Sequence, residues 1–174
     1  RIPIDLALRA SALARRESAP ELALRLLEGL EVSAAVALER GHALFVSGRE
    51  GEAIEQFEIA AALAEDDQQR AEACAAHINA LVYGFDDLPG AQRLLDDAEQ
   101  TISDEAALDF VQSLHLSFVT LAGGEADVDL VARFLTHEDP LVRLRAFPAG
   151  SQLLLRQGRV DDAVALAAAH VPAA

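Results

Sequence analysis

The sequence predicts an all-α protein, a stack of about five antiparallel helical hairpins, and three observations predict it. Apolar residues recur at helical spacing along the chain, and strand-like alternation is absent over any useful length. Short segments carrying Gly, Pro or Asp interrupt that pattern at intervals that give hairpins of about 35 residues each. One phrase is written twice: Gly-Arg, two spacers, an acidic residue, Ala and a β-branched residue stand at Gly48–Ile54 and again at Gly158–Val164, each opening an alanine-rich helix.

The elements follow in order. "IDLALRASALARR" (Ile4–Arg16) places Ala, Leu and Ile at helical spacing. Its partner, "ESAPELALRLLEGL", offers Ser18 and Glu21 as a capping-box pair, Pro20 in the first turn and Gly29 near the end. The same logic pairs Val32–Ser47 with Glu50–Ala64, Gln69–Tyr83 with Leu88–Ile102, Glu105–Ala122 with Asp127–Thr136, and Leu141–Gln157 with Val160–His170. Gly48, "FDDLPG", "SDE", "GGEAD", "HEDP" and Gly158 supply the turns. No linker or low-complexity tail breaks the series, so residues 1–174 read as one helical-repeat domain.

Composition removes whole classes of chemistry. All 14 basic residues are Arg, so no phosphate-loop lysine, Schiff base or lysine general base is possible. A formal net charge of −15 opposes nucleic-acid binding by these residues, because that affinity comes from neutralising phosphates. Alanine supplies about a fifth of the chain and aromatics only 5%, which describes a core of small side chains at close helix contacts. The single cysteine, Cys74, fits a reducing, cytoplasmic setting and the role of a small core residue. No signal peptide and no apolar run near the ~20 residues of a membrane span is present. Lacking an initiator Met and stopping in "HVPAA" just after a helix, the chain is expected to be a piece of a longer protein.

The best-marked hairpin, Ala34–Asp67, carries Ala37, Gly41 and Leu44 on its first helix, Gly48 in its turn and Ala53, Phe57 and Ala60 on its second. Gly41 and Ala53 are expected to face each other where the helices cross, with Phe57 filling the space against the next hairpin. A second copy keeps Gly158, Ala163 and Ala167 with Ser151 as the small partner; Ala91, Leu95 and Ala98 form a third, and Ala23 marks a fourth. Glu105–Thr136 lacks this signature. In these residues the chain resembles the tetratricopeptide repeat, which implies a right-handed solenoid. Its alanine- and arginine-rich repeats also look like the helical-repeat region of large bacterial transcriptional regulators of the MalT/LuxR type. There, a nucleotide-binding switch precedes the repeats and a helix-turn-helix follows.

The resemblance implies that the first helix of each hairpin lines a concave groove that binds peptides or small effectors. The groove-facing positions are then Leu38, His42, Phe45 and Val46; Ala76, Ala80 and Tyr83; Asp109, Gln112 and Leu116; and Arg145, Gln152 and Arg156. Phe45, Tyr83 and the two Arg are residue types that anchor interfaces. Each also has a structural reading: packing between repeats for the aromatics, a solvated surface for the Arg.

The five histidines, His42, His77, His115, His137 and His170, fall one to a hairpin with no i, i+4 pair, so no metal site is expected. Acidic doublets at Asp66-Asp67, Asp86-Asp87 and Asp161-Asp162 fall at helix starts and read as caps. No nucleophile motif or glycine-rich dinucleotide turn is present, and neither enzyme nor cofactor is expected. The expectation is a non-enzymatic, cytoplasmic scaffold for a protein, peptide or small effector, the interaction region of a larger signalling or transcriptional regulator. An assembly or chaperone adaptor is the alternative within binding proteins, and an enzyme using the solenoid as a scaffold is the alternative outside them. Self-association through the first or last hairpin is also expected, since outer helices expose apolar faces.

Overall fold

The computed structural model describes residues 2–121 and 124–170, apart from the side chains of Leu121 and His170. Ala122, expected in the seventh helix, and Gly123 of the following turn lie outside the described residues. Among those described, ten α-helices and no strand are present: α1 (Ile4–Arg16), α2 (Pro20–Leu26), α3 (Ala34–Val46), α4 (Glu50–Ala62), α5 (Asp67–Phe85), α6 (Leu88–Thr101), α7 (Glu105–Leu121), α8 (Val128–Leu135), α9 (Pro140–Arg156) and α10 (Val160–His170). The protein is all-α. None of these helices is long and apolar enough to cross a membrane.

The twice-written phrase is a turn. In α3, the amide of Gly48 donates to the carbonyl of Phe45 (3.1 Å) and that of Arg49 to Leu44 (3.0 Å), with Gly48 at φ +77°. In α9, Gly158 bonds to Leu155 (3.0 Å) and Arg159 to Leu154 (2.9 Å), with Gly158 at φ +74°. Both are Schellman closures, in which a left-handed residue lets two amides double back onto the last free carbonyls. The Arg that follows stands just before the next helix and folds over the acid of its first turn, Arg49 onto Glu52 (2.7 Å) and Arg159 onto Asp162 (2.7 Å). Four residues past each Arg, Ala53 and Ala163 turn inward and are buried.

The first hairpin closes the same way, against expectation. Ser18 does not cap α2; it sits at φ 58°, in the glycine position, while its amide bonds to Arg15 (3.1 Å) and that of Ala19 to Ala14 (2.9 Å). The capping box fails because Ala19, with no side-chain acceptor, occupies the cap, and Pro20 opens the helix in its place. The acidic doublets divide their labour. Asp66 caps α5 through Gln69 and Asp87 caps α6 through Gly90, while Asp86 takes a left-handed conformation at the end of α5. Asp67 instead accepts the amides of Ser103 (2.7 Å) and Asp104 (2.9 Å), tying the start of α5 to the end of α6. These two bonds, with Arg70 beside them, hold its carboxyl below the usual range.

The described residues divide into two compact units, one running up to Ala107 and the other from Leu108 onward. In the first, each helix packs on the next through α6, and the first helices also meet, α1 on α3 and α3 on α5. No comparable contact joins α2 to α4 or α4 to α6 among the described residues. Leu44, Ala53, Phe57, Ala76 and Ala80 form the core there, flanked by Ala37, Ala60 and Ala73 and by Ala14, Ala23 and Ala43. Gly41 meets Phe57: a methyl at Gly41 would lie 2.6 Å from the ring's Cδ1. Phe57 therefore fills the α3–α4 contact and reaches α5 as well, a double duty for which the sequence reading had allotted separate residues.

In the second unit, Leu116 of α7, Val131 and Phe134 of α8, and Val142, Ala146 and Ala149 of α9 form the core. Its close contact is made by Gly150, where a methyl would lie 2.9 Å from Leu135 Cδ1 and 3.2 Å from Leu166 Cδ2. Ser151, expected as the small partner, is its neighbour, with a buried hydroxyl that has no hydrogen-bond partner among the described residues. Phe110 lies under the Arg145 guanidinium, 4.2 Å from its ring centre.

Candidate functional site

Helix geometry builds the site from α1 and α3. Residues three and four apart share a helix face, so Leu8, Ala12 and Arg15 make one stripe and Ala35, Leu38 and His42 another. The two stripes wall a half-open cavity of about 410 Å³, with Gln69 and Glu72 of α5 on its edge. A second cavity, of about 440 Å³, adjoins it through the shared Ala34, Ala35 and Gln69, and runs past Ile4, Val32, Leu63, Glu31 and Glu65. Helices α1, α3 and α5, with Ala60 of α4 and the connecting residues 31–33 and 63–65, thus line one trough in the first unit.

Glu39 anchors its wall. Its Oε1 accepts from the Ser11 hydroxyl (3.1 Å) and from Arg15 Nε (3.2 Å), and its Oε2 accepts from Arg15 Nη2 (3.2 Å). Ser11 is fully buried and Glu39 nearly so. A bidentate guanidinium with a third donor is the arrangement a buried carboxylate needs to stay charged without a large net penalty. His42 stands beside this pair with its ring edge-on to Phe57 (centroids 5.4 Å apart). Burial and the Arg15 charge lower its pKa, against a smaller opposing pull from Glu39, so the imidazole is neutral at physiological pH.

Of the sequence-derived groove residues, Leu38 and His42 meet in this cavity. Phe45 packs against the Leu44–Phe57 core and Tyr83 is exposed near the end of α5. Val46 is half exposed, while Ala76 and Ala80 are core residues. In the second unit, Gln152 and Arg156 line a separate cavity of about 210 Å³ with Glu125, Ala126, Val128 and Leu153. Arg145 lies inside the packing: it donates to the Phe110 carbonyl (3.2 Å), and burial pushes its pKa down to about 10. Gln112 accepts from Arg133, which also pairs with the buried Asp109. The repeat positions Ala53, Phe57, Ala60, Ala91, Ala98 and Ala163 are all buried, and Gly158 has its left-handed φ.

Sequence reasoning missed Ser11, Arg15 and Glu39. The spacing of Ser11 and Arg15 on one helix face was a signal; their meeting with a carboxylate 24 and 28 residues away was not.

Cys74 and His137, residue types that perform chemistry elsewhere, are both engaged by their surroundings. The Cys74 thiol is pushed up to about 12, first by burial and then by Asp97. His137 accepts the Asp139 amide at Nδ1 (3.0 Å), which leaves Nε2 as the protonated nitrogen facing Asp109 Oδ2 (3.3 Å). With both nitrogens engaged, it has no free lone pair for a general base. No group of three His, Cys, Asp or Glu able to hold a metal occurs among the described residues. No known protein family, curated protein or solved structure matches the chain.

Proposed function

We propose that the chain is a non-enzymatic binding scaffold that holds a partner segment or small effector in the trough lined by α1, α3 and α5. One observation carries this: residues of α1, α3 and α5, with Ala60 of α4 and the segments at residues 31–33 and 63–65, line two adjoining cavities that mix apolar and polar side chains. Ligand sites are concave and largely apolar with a few placed polar groups, at volumes of roughly 300–1,000 Å³. The engaged states of Glu39, His137 and Cys74 support a binding role over a catalytic one.

In this reading the hairpins form a solenoid like that of tetratricopeptide repeats, with the first helices inside. Direct α1–α3 and α3–α5 contacts, without α2–α4 or α4–α6 counterparts, support that curvature. The module serves a larger bacterial, cytoplasmic regulator of the MalT/LuxR type, and any DNA contact belongs to another segment. The acidic balance of the chain supports that last assignment. The exposed Leu6 and Leu13 of the first hairpin and Val160 and Val164 of the last support self-association through the terminal hairpins.

Capture from a bacterial lysate tests the trough, using the native chain, Leu38→Glu, Ala12→Trp and the distant surface variant Gln100→Ala as baits. The expected result is a partner retained by the native chain and Gln100→Ala and lost by the two trough variants. Equal recovery of every partner from all four would remove the trough as the working surface.

A further inference from the structure

Charge is unevenly placed along the trough. Arg15 and Glu39 neutralise each other through two bonds of 3.2 Å. Four further charged groups line the cavities and enter no ion pair among the described residues: Arg9 on α1, Glu31 ahead of α3, Glu65 ahead of α5 and Glu72 on α5. Glu72 accepts from Gln68 (2.8 Å), a neutral donor that leaves its charge in place. Three of the four are acidic, so the trough has an acidic excess, and the whole chain has a formal net charge of −15. Gln69 and Glu72 share a face of α5 with Glu65 about one turn before them, whereas Arg9 is exposed on the α1 side with Ile4, Leu8 and Ala12.

These features choose among occupants. A second copy of the chain brings the same acidic excess to the contact and is repelled. Small-molecule sites bury roughly 70–90% of their ligand, whereas both cavities are half-open and run into each other past Ala34, Ala35 and Gln69. A protein segment whose backbone lies along the mouth suits that shape. Lysine and arginine carry their charge on aliphatic stems that pack on apolar surface, and Ile4, Val32 and Leu63 are exposed in the same cavity as Glu31 and Glu65. We propose that the trough docks a basic amphipathic segment of a partner protein, which sets apolar side chains between α1 and α3 and its Lys or Arg against Glu31, Glu65 and Glu72. This rests on the trough being the working surface, and it adds what that surface selects.

A fluorescent peptide of Leu, Ala and Lys, apolar on one helical face, tests the chemistry alongside counterparts with every Lys replaced by Gln or by Glu. Each is titrated with the full chain near physiological ionic strength and read by fluorescence anisotropy. Expected are saturable binding of the Lys peptide, about tenfold weaker binding of the Gln peptide and none of the Glu peptide. Glu31→Gln/Glu65→Gln/Glu72→Gln should weaken the Lys peptide by about tenfold, the scale of three exposed ion pairs. Glu55→Gln/Asp96→Asn/Asp129→Asn removes equal charge from exposed positions outside both cavities. It should change the affinity by less than about twofold, because surface charges that are not in contact are largely screened at that salt. Arg9→Glu should tighten binding by about threefold, a gain that misfolding does not produce.

Displacement of the peptide by spermidine at equal concentration would identify a small cation as the occupant and overturn the assignment to a segment. Equal binding of the Glu peptide, equal weakening by the two triple variants, no gain in Arg9→Glu, or no binding of the Lys peptide would overturn it as well. Lysate capture that still depends on Leu38 and Ala12 while the peptides show no charge preference would sink this inference and leave the trough standing. Equal recovery from every lysate bait would remove the trough itself and this inference with it.

Discussion

Replacing Gly41 with Ala sets two known effects against each other at one atom. In the middle of a helix this change ordinarily stabilises by about 1 kcal/mol. Here the new methyl would lie 2.6 Å from Phe57 Cδ1, where carbon atoms prefer about 3.5–4.0 Å. The ring or the helix must therefore retreat by about 1 Å. Phe57 is 1% exposed and hemmed in by Leu44, Ala53, Ala76 and Ala80, so it has nowhere to go. Overpacking of this kind costs about 1–3 kcal/mol, which leaves a net destabilisation of about 0–2 kcal/mol after the helix gain is subtracted.

The sign should reverse when the ring is removed. In a Phe57→Leu background, itself about 1–1.5 kcal/mol less stable, Gly41→Ala should recover about 0.5–1 kcal/mol from helix propensity. The coupling between the two sites is then about 0.5–3 kcal/mol, readable from a four-member cycle of urea denaturation curves followed by far-UV circular dichroism. A Gly41→Ala midpoint above that of the native chain, in the presence of Phe57, would refute the reasoning.

Removing Arg15 alone, as Arg15→Leu, strands the Glu39 carboxylate with only Ser11. The Arg15 side chain is 24% exposed, so the loss should be about 2 kcal/mol, below the fully buried range, and Arg15→Leu/Glu39→Leu should recover part of it. Denaturation midpoints measure both. Left-handed turn positions give a paired test: Gly48→Ala should lose about 1 kcal/mol and Ser18→Gly should gain a comparable amount, read from thermal midpoints. His42 and His77 both have pKa values lowered first by burial; Arg15 adds to the effect at His42, while Glu39 and Glu58 oppose it at His42 and His77 respectively. The unfolded chain therefore binds more protons than the folded one below about pH 6.5, the ordinary histidine value. Stability should fall as the pH drops from about 6.5 towards 5, and His42→Phe should flatten that slope. An unchanged slope in the variant would exclude His42 as a contributor.

Local rules made the helices legible and long-range meetings hid the site. Helix limits follow from neighbours in the chain: Pro20, Pro140 and the Asp caps start helices, and Gly48 and Gly158 end them. Ser18 misled because the same residue type caps the start of one helix or, rarely, fills the left-handed end of another, and only the amide bonds decide. Leu38 and His42 were legible as one face of α3. Arg145 was not, because an Arg half-buried over Phe110 reads in sequence like one in solvent. The Ser11–Arg15–Glu39 cluster depended on how α1 is rotated against α3, which no spacing within either helix encodes.

The closure shared by Ser18, Gly48 and Gly158 is completed within six consecutive residues, using backbone bonds alone. Assembling it requires no distant part of the chain, so loop-closure entropy there is small. Chains dominated by such short-range connections fold in microseconds to milliseconds. Helix pairs with such a corner can therefore take shape while the remainder is still being synthesised.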